Sequence, residues 1–199
     1  MKKIYIVLTY TGTILSKIVK MYTRREFSHV SIALDEDLEQ MYSFGRINAY
    51  NPFWGGFVQE GIDKGTFKRF KKTKTRIYSL QVEDEQFDKV VKVINDIKNS
   101  KSEYNFNILG LIGVVLHYKV KREKYFYCAE FVKYVLEQSQ IVCDLPDIVK
   151  PEDFKEIDNL KRSVTLDHSV LFPERTKIPV LRDYLKFATM VVGCVTGIG

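Results

Sequence analysis

Phe27-Ser28-His29-Val30-Ser31-Ile32-Ala33-Leu34 alternates like a strand, with Phe27, His29, Ser31 and Ala33 on one side and Ser28, Val30, Ile32 and Leu34 on the other. The second set is the more apolar and predicts the face turned to the core. Asp35-Glu36-Asp37 supplies a turn, and Gln40 to Arg46 returns as a neighbouring strand, which brings His29 close to it. Upstream, Ile4-Tyr5-Ile6-Val7-Leu8 is a β-branched and aromatic run stopped by Thr and Gly, the pattern of a buried first strand. Thr13 to Arg24 places Ile14, Leu15, Ile18, Val19 and Tyr22 on one helical face. Residues 47–62 read as a loop, punctuated by Asn51-Pro52 and Gly55-Gly56, and Ile77 to Val82 alternates as a third strand.

The second half is more helical. Asp84 to Lys98 is amphipathic, with Phe87, Val90, Val91, Ile94 and Ile97 aligned and Asp84 and Glu85 at the end where negative charge is favoured. Phe106 to Tyr118 is apolar almost all round and predicts a buried helix. Another runs from near Tyr127 to about Gln138, with Phe131, Val132, Val135 and Leu136 inward, and Pro151-Glu152-Asp153 opens a short helical turn. Strands followed by helices predict an α+β fold, a small and mainly antiparallel sheet packed against helices.

Composition narrows the class. The chain has 199 residues, 45% hydrophobic and 28% charged, which suits one domain and argues against disorder, collagen and coiled coil. Neither Phe106–Leu116 nor Phe187–Gly199 reaches the roughly 20 apolar residues of a spanning helix. The Lys-rich start lacks a small-residue cleavage site, so the expected location is the cytoplasm. Three cysteines, at 128, 143 and 194, cannot all pair and have no zinc spacing, which predicts reduced thiols and no metal or organic cofactor.

The net charge of +6 permits weak attraction to anions. It concentrates in residues 64–76, where Lys68, Arg69, Lys71, Lys72 and Lys74 interleave with Phe67 and Phe70. Such a stretch is a solvated, pairing-resistant edge or a weak contact for anionic lipid or polymer; nothing in it is specific for nucleic acid.

Chemistry has one good foothold. Cys128 opens the helix in Tyr125-Phe126-Tyr127-Cys128-Ala129-Glu130-Phe131-Val132, where unpaired amides and the helix dipole favour a thiolate and an oxyanion. A thiolate wants a base. Of the three histidines, His117 falls on an apolar helix and His168 in an unassigned segment, whereas His29 stands in a strand beside small Ser31 and Ala33. Cysteine at a helix start with histidine on a strand is what papain-type catalysis needs. The plainer reading is a buried cysteine and a structural histidine. Cys143 and Cys194 lack a helix-start context and read as packing residues.

Ser28 to Leu34, Met41-Tyr42-Ser43-Phe44-Gly45-Arg46 and Tyr127 to Val132 together resemble the circularly permuted branch of the NlpC/P60 papain-like superfamily, with its YiiX/YebB-like and lecithin retinol acyltransferase-like relatives. In that branch the histidine strand precedes the cysteine helix, as here. The resemblance spans residues 1–158 and leaves 159–199 as an extension packed on the same domain. It implies Cys128 as nucleophile, His29 as base and a third polar residue that orients the ring. By position that residue is Ser43, with Gln40 and Glu60 as other candidates and Tyr42 and Tyr10 near the cleft. Glu130 projects from another helix face and reads as a helix-start or ion-pair residue. The implied activity is thiol-dependent hydrolysis of an acyl, amide or peptide substrate. Acyl transfer to a lipid or amine, and a non-catalytic protein docking anionic lipid or polymer, are the alternatives.

Overall fold

A computed structural model describes residues 1–47, 55–61, 70, 73–120 and 122–167. It is an α+β structure. Five antiparallel strands run in the order β4-β3-β2-β1-β5, where β1 is Lys2–Tyr10, β2 His29–Ala33, β3 Met41–Arg46, β4 Gly55–Glu60 and β5 Lys74–Val82. A short parallel pair, β6 (Asn105–Phe106) and β7 (Tyr125–Phe126), stands apart. β8 (Lys161–Asp167) pairs along the outer edge of β5, so the sheet continues past the expected boundary at residue 158.

The described residues include four α-helices: α1 (Ile14–Thr23), α2 (Asp84–Asn99), α3 (Ile108–Leu116) and α4 (Cys128–Gln138). The main core lies between one face of the sheet and α2 and α4. It joins Ile4, Ile6 and Leu8 of β1 and Val30 and Ile32 of β2 to Val90 and Ile94 of α2 and Phe131 and Val135 of α4. Burial of these side chains is the principal stabilising term. The other face carries a smaller cluster of Tyr5, Val7, Ala33, Met41 and Ile77. β1 is apolar on both sides because it is buried on both sides, as its unbroken run predicts.

Two sequence expectations change. The segment read as loop contains β4, whose residues pair with β3 from Arg46↔Gly55 to Met41↔Glu60. Gly55 and Gly56 weaken the strand signal, yet glycine is needed there: a Cβ on Gly55 would stand 2.6 Å from the Phe106 ring. Aromatic contacts hold β4 in place, with the Phe57 ring 5.9 Å from Tyr42, 6.0 Å from Phe44 and 5.8 Å from Phe131. α3, predicted to be buried, is only partly covered, and Leu116 at its end is exposed. Among the described residues no helix is long and apolar enough to cross a membrane.

Candidate active site

The cleft of interest opens at one end of the sheet, where β2 begins and β3 finishes. Consecutive residues line it on each strand, Ser28 with His29 and Gly45 with Arg46, so it faces the strand ends rather than either sheet surface. Thr11 and Thr13 from the β1–α1 connection, Phe106, and the start of α4 close it.

Cys128 is the first residue of α4 and is buried, with Tyr127 as N-cap in extended conformation. Two interactions fix that helix start. The Glu130 carboxylate accepts the Tyr127 N–H at 3.1 Å, and the Tyr127 hydroxyl donates to the Val149 carbonyl at 2.9 Å. Burial raises the Glu130 carboxyl above the usual carboxylate range, partly offset by its hydrogen bonds from Tyr127 and Asn107. Glu130 is therefore a helix-start residue, turned away from the cleft chemistry. The first amides of α4 have no partner within the helix and point out of its end, beside the thiol.

His29, the first residue of β2, lines the same cleft as Cys128. Its Nε2 stands 3.0 Å from Oε1 of Glu60, the last residue of β4, and the Ser31 hydroxyl donates to the other oxygen of the same carboxylate. Burial of the ring disfavours its charge, but Glu60 and Cys128 outweigh that and raise His29 to about 10. The arrangement is an imidazole held by a carboxylate in the cleft that the Cys128 thiol also lines.

Gly45 makes this meeting possible. β3 lies between the strands that carry His29 and Glu60, and a Cβ on Gly45 would stand 3.3 Å from His29 Cε1 and 3.6 Å from Glu60 Oε1. A bare backbone there lets the carboxylate cross to the ring.

The remaining sequence candidates stand elsewhere. Ser43, expected to orient the ring, is fully buried in β3 and donates to the Val30 carbonyl at 3.0 Å. The group at the ring is Glu60 instead. Gln40 is exposed in the β2–β3 turn, where its N–H donates to Asp35. Tyr42 belongs to the main core, and Tyr10 packs against that core under the Lys20 ammonium, 4.5 Å from its ring centre. Of the basic run, Lys68, Arg69, Lys71 and Lys72 lie outside the described residues, as do His168 and Cys194; Lys74 is exposed at the start of β5. Burial raises the Cys143 thiol to about 11, which makes it a poor nucleophile at neutral pH.

Three residues of the site escaped sequence reasoning. Ser31 was visible through alternation, two positions from His29 on the same side. Gly45 had no local signal, since its role depends on a strand pairing. Asn107 is buried and ties two helices together: its Oδ1 accepts from Gly110 N at 2.9 Å to cap α3, and its Nδ2 donates to Glu130 at 3.0 Å at the start of α4. A comparison with protein-family models finds none that matches the chain, and a comparison with curated proteins finds no match.

Proposed function

We propose that this protein is a thiol-dependent acyl hydrolase of amidase or peptidase type, with the permuted NlpC/P60 papain-like arrangement. The observation that carries the reading is that Cys128 lines one cleft with a His29 that is itself held by Glu60. Nucleophile, base and orienter then have the relation that covalent acyl chemistry requires.

In this reading the Cys128 sulfur, delivered as thiolate beside the His29 imidazolium, attacks the substrate carbonyl carbon. A carbon–sulfur bond forms and the carbonyl electrons move onto oxygen. His29 then gives its proton to the leaving nitrogen or oxygen as the bond to it breaks. Water, deprotonated by His29, cleaves the thioester and restores the thiol. Glu60 keeps the ring in place and favours its charged form. The partner is thus an acyl, amide or peptide substrate, and an amine or lipid hydroxyl in place of water would make the same thioester a transferase intermediate.

Competitive alkylation tests the reading. Iodoacetamide at neutral pH should label Cys128 well ahead of Cys143, with the preference abolished by His29→Ala. Equal labelling of the two thiols, or an unchanged Cys128 rate in the His29 variant, removes the basis for catalysis.

A further inference from the structure

Four described side chains bury a hydroxyl with no hydrogen-bond partner: Thr9, Ser28, Thr75 and Ser139. Only Ser28 among them lines the cleft that holds Cys128 and His29. Its residue exposure is 8%, and its backbone N–H is committed to the Thr9 carbonyl at 3.1 Å. The hydroxyl itself is idle. A buried, unpaired hydroxyl costs folding free energy, because water satisfied it in the unfolded chain. Such a cost at the wall of a reactive cleft points to a partner that arrives with the substrate.

We propose that Ser28 is a catalytic residue that donates a hydrogen bond to the oxyanion formed when Cys128 attacks an acyl carbon. The assignment rests on the reading of Cys128 as nucleophile and adds the group that receives the charge. Two neighbours favour it. The first amides of α4 point out of the helix beside Cys128, so a carbonyl oxygen placed near them already meets one set of donors. Ser28 lines the same cleft, one residue before His29, and would add a donor of different origin. In the step itself the sulfur–carbon bond forms, the carbonyl π electrons become a lone pair on oxygen, and the Ser28 O–H points at that oxygen without giving up its proton. The hydrogen bond strengthens as charge develops, which is the requirement for lowering a barrier rather than tightening binding.

This assignment separates two reactions of one thiol. Acylation by p-nitrophenyl acetate passes through an oxyanion; alkylation by iodoacetamide is a displacement at saturated carbon and does not. In the full chain, Ser28→Ala should slow p-nitrophenolate release in the first turnover by about a hundredfold, the usual scale for one lost oxyanion donor. The iodoacetamide rate at Cys128 should stay within about twofold, since the scale of disturbance from a lost methylene-sized contact at an intact site is small. Ser28→Thr, which keeps the hydroxyl, should recover most of the acylation rate. The Ala variant should melt no lower than the wild type, because it removes an unpaired group. Unchanged acylation in Ser28→Ala overturns the assignment. So does a parallel fall of both rates, which marks a displaced Cys128 instead. If wild-type Cys128 is alkylated no faster than Cys143, the nucleophile itself is wrong and the Ser28 assignment falls with it.

Discussion

Glu60 Oε1 lies 3.0 Å from His29 Nε2, although 31 residues and an intervening strand separate them. The contact is a product of the β2-β3-β4 meander. β2 presents the ring, β3 offers a glycine where a side chain would intrude, and β4 ends with the carboxylate. One-eighth of the Glu60 side chain is exposed and one-fifth of the His29 side chain, so water screens the pair only in part.

The first prediction concerns pH. The His29 value in the folded state, about 10, lies above the ordinary 6.5. The imidazolium therefore contributes stability that is fully present below pH 6.5 and is lost as pH rises towards 10. The proposed activity should follow the same group: the alkaline limb of first-turnover acylation should fall near pH 10 in the wild type and move down towards 6.5 in Glu60→Gln, which keeps shape and removes charge. Superimposable limbs in the two proteins would deny Glu60 its electrostatic part.

A second prediction tests the glycine. Gly45→Ala places a methyl group 3.3 Å from His29 Cε1, closer than ordinary contact, so the ring must give way. A shift of a few tenths of an ångström at the proposed base should lower the iodoacetamide rate of Cys128 by about tenfold, while urea unfolding changes little. A wild-type alkylation rate would mean that the ring tolerates the methyl group and that Gly45 is dispensable.

Most of the scaffold was legible because its signals are local. β1, β2, β3, β5 and the four described α-helices follow alternation or helical spacing, and each side chain that decides them lies within one element. β4 was hidden for the opposite reason. Gly55 and Gly56 carry no strand preference, and the strand exists because Phe57 finds Tyr42, Phe44 and Phe131 around it. The candidate site divides along the same line. Cys128 and His29 advertise themselves by helix start and strand position. Ser43 looked like the ring's partner because it follows His29 on the next strand, but its hydroxyl is taken by the Val30 carbonyl. Glu60 sits on the hidden strand, and its distance from His29 is set by pairings that spacing does not report.

Asn107 gives a third prediction. It caps α3 through Gly110 and donates to Glu130 at the start of α4, and it is fully buried. Asn107→Ala removes a cap, for about 1 kcal/mol. It also strips a donor from a buried carboxylate, for about 1–3 kcal/mol more. Urea unfolding should show the combined loss as a lower midpoint with an unchanged slope. Asn107→Asp keeps the cap but sets a carboxylate against Glu130, and it should be no better than Ala at neutral pH.

The last prediction concerns the segment that delivers Ser28 and His29 to the cleft. Glu152 is largely buried in the short 3-10 turn Pro151–Glu156, and its Oε1 accepts the Phe27 N–H at 2.9 Å. Lys155 pairs with its other oxygen at 3.1 Å. Burial of the carboxyl disfavours its charge, but the hydrogen bonds from Phe27 and Lys155 prevail and hold it below its ordinary value. A lowered carboxylate contributes stability that is present above its unfolded value and is lost as pH falls through the folded one. Wild type should therefore lose stability more steeply on acidification than Glu152→Gln. At neutral pH the Gln variant should unfold about 1.5–3 kcal/mol more easily, the scale of a hydrogen bond to a charged group. Its Cys128 alkylation rate should fall as well, because the Phe27 amide stands two residues before His29 and loses its anchor. Equal acid sensitivity in the two proteins, with an unaltered alkylation rate, would show that β2 is positioned by its ladder with β1 alone.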